Sequence, residues 1–160
     1  MRISNIDSVD RKILNVLQHN SRISNVDLAE TIGLSPSPCL ARVKALSESG
    51  LIKKHVTLLD PLKLGLSLNV FIQISLVQQT KETLERFEQS IAELPEVLEC
   101  YLMTGDSDYL LRVAVADVHE LGEFILNHLS RSEEISNIRS SLSIKQVKYE
   151  TALPIPRSVS

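Results

Sequence analysis

The chain holds few cysteines and no long apolar run, and both shortages narrow what it can be. Cys39 and Cys100, the only two in 160 residues, are too far apart in sequence to form a disulfide framework or metal-ligand spacing. Both read as reduced packing residues, with Cys39 close to the outward side of the helix that carries it. No window of about eighteen apolar residues exists, so no membrane-spanning helix is expected. The opening residues, MRISNIDSVDRK, lack the apolar stretch of a signal peptide, which makes a cytoplasmic protein without membrane contact the expectation. Enzyme signatures are missing as well: there is no HExxH, no Cys/His cluster, no glycine-rich phosphate loop and no serine elbow. His19, His55, His119 and His128 are scattered and read as surface or cap residues. No catalytic residue, metal or cofactor is expected.

What is present is a globular composition, 43% apolar and 23% charged, enough for one domain or two small ones. The net charge of −3 hides an asymmetry. Residues 1–54 carry eight Lys/Arg against five Asp/Glu, and the remainder carries nine against fifteen. A basic front third on an acidic remainder implies that only the front meets nucleic acid.

Within that front, residues 35–50, SPSPCLARVKALSESG, read as a helix presented outward. Ser35 stands at the N-cap, and Pro36 occupies the first helical position, where a missing N–H has no consequence. Pro38 is tolerated because none of the first four helical N–H groups has an intrahelical partner. The spacing turns Leu40, Val43 and Leu46 inward and Ser37, Ala41, Arg42, Lys44 and Ala45 outward. That outer side is small, hydroxylic and cationic until Glu48, so a polyanion can approach it. A shorter helix precedes it, capped by Ser24 and carrying Leu28, Ala29 and Ile32 on one face, and the turn Gly33-Leu34-Ser35 joins the two. A first helix over 9–20 turns Ile13, Leu14 and Leu17 inward. This is the outline of a helix-turn-helix whose second element enters the DNA major groove. Residues 51–57, with Lys53 and Lys54, read either as a wing along the phosphate backbone or as a lysine-guarded edge strand.

Asp60-Pro61 and Gly65 mark a hinge. Beyond it the pattern is strand 68–77, helix 81–94, strand 97–104, strand 109–115, helix to about 129 and strand 138–147. The order βαββαβ is ferredoxin-like, with both helices on one sheet face. The division expected is a winged helix-turn-helix domain over 1–54, a linker over 55–66, a ferredoxin-like domain over 67–150 and a tail over 151–160. The fold class is therefore α+β. Both sides of the middle strands read as apolar, through Leu98, Cys100 and Leu102 against Val97, Tyr101 and Met103, so a second copy is expected to cover the bare face.

Two motifs carry a resemblance. The string RISNVDLA at 22–29 followed by GLSPSPCLARV at 33–43 is similar to the helix-turn-helix of the Lrp/AsnC (leucine-responsive, feast/famine) transcriptional regulators. The string GDSDYLL at 105–111 resembles a turn in that family's amino-acid-binding domain, and the likeness runs from about Asp7 to Tyr149. The resemblance implies a homodimer assembled further, often to an octamer, that binds double-stranded promoter DNA. It also implies a free amino acid bound between dimers near Leu102, Thr104, Gly105, Asp106, Asp108 and Tyr109. For Asp106 and Asp108, ligand contact and mere shaping of the hairpin stand as equal alternatives. On the DNA side it points to Ser35, Ser37, Pro38, Arg42 and Lys44 with Lys53 and Lys54, Arg42 being the leading candidate for a base or phosphate contact. The run Ser140-Ser141-Leu142-Ser143 is more hydroxylic than the leucine-responsive pattern, and the effector expected is aliphatic or sulfur-containing. Two other readings remain: an architectural DNA-binding protein without an effector, and a sirohaem decarboxylase-like homologue.

Overall fold

The computed structural model describes residues 6–156, so part of the expected tail, 157–160, lies outside them. The chain forms two compact units, one made of residues up to 58 together with 148 onward, the other of 59–147. Residues 151 onward, expected as a tail of their own, and 148–150, expected in the ferredoxin-like domain, thus group with the N-terminal unit.

In that unit α1 (Ser8–His19), α2 (Asn25–Ile32) and α3 (Pro36–Glu48) follow the expected order. Asp7 caps α1 by accepting from the N–H groups of Val9 and Asp10, both at 2.8 Å, and Asp10 reaches back to the Asp7 N–H. Ser24 caps α2 through the Asp27 N–H. Gly33 ends it at φ 76°, where a side chain would be strained, and Leu34 N–H closes on Ala29 O at 2.8 Å. The core joins Ile13, Leu28, Ala29, Ile32, Cys39 and Leu46, with Leu17 and Val43 partly buried against it.

Three expectations fail here. Cys39 is completely buried and Leu40 is 57% exposed, so α3 is rotated from the phase that placed Leu40 inward and Cys39 near DNA. A thiol packs as a small apolar group, and positions 39, 43 and 46 make as good a helical stripe as 40, 43 and 46. Ser35 makes no side-chain cap bond. The N3 position that its hydroxyl would ordinarily receive from is Pro38, which has no N–H. Residues 51–58 form no strand, so within one chain the wing segment joins no ladder, although Ile52 N–H donates to Leu46 O.

The second unit is a four-stranded antiparallel sheet, order β2-β3-β1-β4, built from β1 (Leu68–Leu76), β2 (Val97–Leu102), β3 (Tyr109–Val115) and β4 (Ile135–Leu142). Helices α4 (Lys81–Ala92) and α5 (Val118–Phe124) supply its cover, α5 continuing into a π-helical turn, Ile125–Leu129. Val70, Ile72, Ile74 and Leu76 of β1 and Tyr109, Leu111, Val113 and Val115 of β3 form one core with Phe87, Ile91, Leu121, Phe124 and Leu129. The last strand lies three residues earlier than expected. It pairs with β1, whose Val70 faces Leu142, so beyond Ser143 there is no partner left to continue the ladder.

The bare sheet face also differs from the expectation that it is apolar throughout. A register shift in β2 between Val97 and Glu99 sends Glu99 and Tyr101 to the bare face, and Cys100 and Leu102 to the helix side. Across the bare face Glu99 pairs with Arg112 and Arg112 with Phe71, while Leu110 and Arg139 both flank Gln73. The face is amphipathic, with Phe71, Tyr101 and Leu110 among charged and amide groups.

Candidate functional site

The first surface is the outer side of α3. Ser35, Pro36, Ser37, Pro38, Leu40, Ala41 and Lys44 are all exposed along it. The Ser35 and Ser37 hydroxyls have no hydrogen bond among the described residues, and two prolines leave the first turn with few N–H groups of its own to satisfy. Asn25 Nδ2 donates to Pro36 O at 2.8 Å and fastens the start of α3 to the start of α2. Lys44 pairs only loosely with Glu48, at 3.8 Å. Lys53 and Lys54 are exposed.

Arg42 is placed differently from its sequence expectation. Its Nη1 lies 2.7 Å from Asp7 Oδ2 and 2.8 Å from Asp10 Oδ1, so the guanidinium is turned toward α1. The hydrogen bonds it donates to Asp10 and Asp7, in that order of effect, hold its proton more tightly than usual. The Asp7 carboxyl sits below the usual carboxylate range, first through the Asp10 N–H and then through Arg42, against a desolvation that pushes it upward.

The second surface is the turn between β2 and β3, and it separates the residues expected to share an effector. Asp108 is consumed by structure: its carboxylate accepts the Leu76 N–H and Gln79 Nε2, each at 2.6 Å, and its own N–H donates to Ile74 O. Tyr109 is buried on the helix side, where its hydroxyl donates to Glu88 Oε1 at 2.7 Å and its ring stacks at a tilt on Phe87. Burial, and then the Glu88 carboxylate, raise its phenol well above the ordinary value. Leu102 and Tyr109 both border a hollow of about 260 Å³ beneath α4. Thr104 and Gly105 are exposed in the turn, Gly105 at φ 131°, a conformation that favours glycine.

Only Asp106 of that set reaches the bare face. There it lines a separate cleft of about 260 Å³ with Ser107, Gln73, Ser75, Asn137 and Arg139. Among the described residues neither the Asp106 nor the Arg139 side chain has a hydrogen bond or an ion pair, so an unpaired anion and an unpaired cation line one cleft. Sequence reasoning missed Gln73, Ser75, Asn137 and Arg139. The available signal was polar residues at alternate positions, Gln73 and Ser75 in β1 and Asn137, Arg139 and Ser141 in β4, which mark one face of adjoining strands.

Family models place these two surfaces in known company. Residues 6–53 match a winged helix-turn-helix DNA-binding model, and residues 69–153 match the Lrp/AsnC ligand binding domain. The chain belongs to the Lrp/AsnC family. It is 41% identical to the leucine-responsive regulatory protein of Haemophilus influenzae over 148 residues, covering 92% of this chain and 89% of that one. It is 39% identical to the transcriptional regulator AzlB of Bacillus subtilis, covering 94% and 96%. Among solved structures, a transcriptional regulator of Neisseria meningitidis in complex with L-Met superposes with a TM-score of 0.90 at 39% identity, covering 94% of this chain and 97% of that one. The Lrp/AsnC proteins are DNA-binding transcriptional regulators rather than enzymes, and this chain is one of them. No helix among the described residues is long and apolar enough to cross a membrane.

Proposed function

We propose that this regulator changes its hold on promoter DNA when a free amino acid occupies the cleft beside the β2–β3 turn. The observation that carries the reading is the meeting of Asp106 and Arg139, both without partners, on one small cleft. A zwitterion presents an ammonium and a carboxylate, and the two side chains offer the opposite charge to each. Gln73, Ser75 and Asn137 add neutral donors and acceptors for the same groups. At about 260 Å³ the space lies just under the range of about 300–1,000 Å³ found for drug-sized ligands, which suits one small molecule. The L-Met complex of the Neisseria regulator supports an amino acid as that molecule.

On the DNA side, Ser35, Ser37, Pro38 and Lys44 approach the groove, and Lys53 and Lys54 approach the phosphates. Leu40, exposed on the same stripe, fits an apolar contact with a thymine methyl. A homodimer forms through the amphipathic bare face and assembles further, toward an octamer, in the cytoplasm. Pairing two copies matches two helix-turn-helix units to two half-sites.

Isothermal titration calorimetry of the twenty amino acids tests the effector reading. An aliphatic or sulfur-containing amino acid binds the wild type, and both Asp106→Ala and Arg139→Ala weaken it by at least tenfold while leaving DNA binding intact. Heat from none of the twenty, or undiminished binding by both variants, refutes the site.

A further inference from the structure

We propose that Arg42 is a positioning residue, a strut between α3 and the first turn of α1 that sets the angle at which the recognition helix meets DNA. This rests on the reading that α3 is the element presented to the duplex. Both carboxylates that hold Arg42 are themselves fixed. Asp7 uses Oδ1 to cap α1 through Val9 and Asp10 and offers Oδ2 to the guanidinium. Asp10 returns Oδ2 to the Asp7 N–H and offers Oδ1 to the guanidinium. A capping box thus doubles as a rigid two-pronged receptor for one nitrogen of Arg42. The arginine follows Cys39 by three residues and precedes Leu46 by four, on the border of the buried stripe rather than on the exposed one. Its side chain is 38% exposed and that of Asp10 only 14%.

Beyond its packing on the core through Cys39, Val43 and Leu46, helix α3 is tied by polar bonds at two separate places. Asn25 grips the first turn at Pro36 O, and the Arg42 ion pairs grip the middle. The core contacts seat the helix, and the two polar ties, at its start and its middle, resist the small rotations that packing alone tolerates. A change of a few degrees about Pro36 would carry Lys44, near the other end of the exposed stripe, away from its place at the groove. Positional errors of this size are costly in recognition, because hydrogen bonds weaken steeply with misalignment.

The competing account is that Arg42 only rests on the aspartates in the free protein and swings onto DNA when it binds. The two accounts predict opposite signs. Removing the Asp10 charge leaves the guanidinium held by Asp7 alone and deletes a negative charge, so a resting arginine binds DNA more tightly in Asp10→Asn. A strut that has lost a support binds more weakly.

The test uses fluorescence anisotropy on a duplex enriched by the wild-type chain from a random-sequence pool, at several salt concentrations and well below every melting temperature. The strut predicts that Asp10→Asn and Arg42→Gln each weaken binding by about tenfold. It predicts that the double variant is no worse than either single one, and that Arg42→Lys, which keeps one ion pair, recovers part of the loss. The slope of log affinity against log salt stays at the wild-type value, whereas loss of a phosphate contact lowers it by about 0.9. Tighter binding by Asp10→Asn, a reduced slope in Arg42→Gln, or a lowered melting temperature with unchanged affinity each overturns the strut. Absence of duplex binding by the wild type overturns the DNA reading itself and the strut with it.

Discussion

Tyr109 shows how far a single side chain can be read. Its hydroxyl finds Glu88 from an otherwise apolar pocket, which is how a buried phenol is accommodated. Tyr109→Phe removes that bond and is expected to lower stability by about 1 kcal/mol in denaturant titration. The native state keeps the phenolic proton at pH values where the unfolded chain begins to lose it, near the ordinary value of about 10. Stability is therefore undiminished below that pH and falls as pH rises above it, and the fall should be shallower in Tyr109→Phe. None of this is legible in the sequence, where the resemblance of the turn at 105–111 to the family's amino-acid-binding turn groups Tyr109 with Asp106 and Asp108. Strand geometry separates them: successive side chains take opposite faces. Leu40 and Cys39 were exchanged for a related reason. Two overlapping helical stripes fitted the letters equally well, and only packing against Leu28, Ile32 and Ile13 distinguishes them.

Among the elements, the helix starts were the most legible. Asp7, Ser24, Thr80 and Asp117 each announce a helix, and each caps one by accepting a backbone N–H. Strand ends were less so, because a strand stops where its partner stops, as β4 does beside the start of β1. Residues 151–160 read only as a tail, without a pattern that assigns them to any element. Yet Gln18 Nε2 donates to Leu153 O at 3.1 Å, and Leu153 N–H donates to Gln18 Oε1 at 2.6 Å. One side-chain amide reads both polar groups of one residue, holding residues near 153 to α1. The same segment, with Leu14, Leu17, Ile52 and Val56, borders an apolar cleft of about 460 Å³. In Gln18→Ala the Leu153 amide should exchange with deuterium at least tenfold faster while the amides of β1 and β3 stay protected. Equal protection of Leu153 in both proteins would show that the apolar contacts alone hold the segment.

For the whole molecule, the division into a basic reader and an acidic sensor was visible in the charge asymmetry and in two motifs, and the family match supports both halves. The composition of the bare face was not visible, because the β2 register shift that turns Glu99 and Tyr101 onto it leaves no mark in the letters. Its apolar centre is expected to hold a dimer, so Leu110→Glu should move the sedimentation profile from dimer or larger toward monomer at micromolar concentration. An unchanged profile would relocate the interface. Coupling between the occupied cleft and the DNA-reading helix is measured directly by affinity for a selected duplex with and without each amino acid. The account predicts that at least one aliphatic or sulfur-containing amino acid shifts the binding midpoint severalfold in the wild type and not in Asp106→Ala. A midpoint that stays fixed for all twenty amino acids would contradict it.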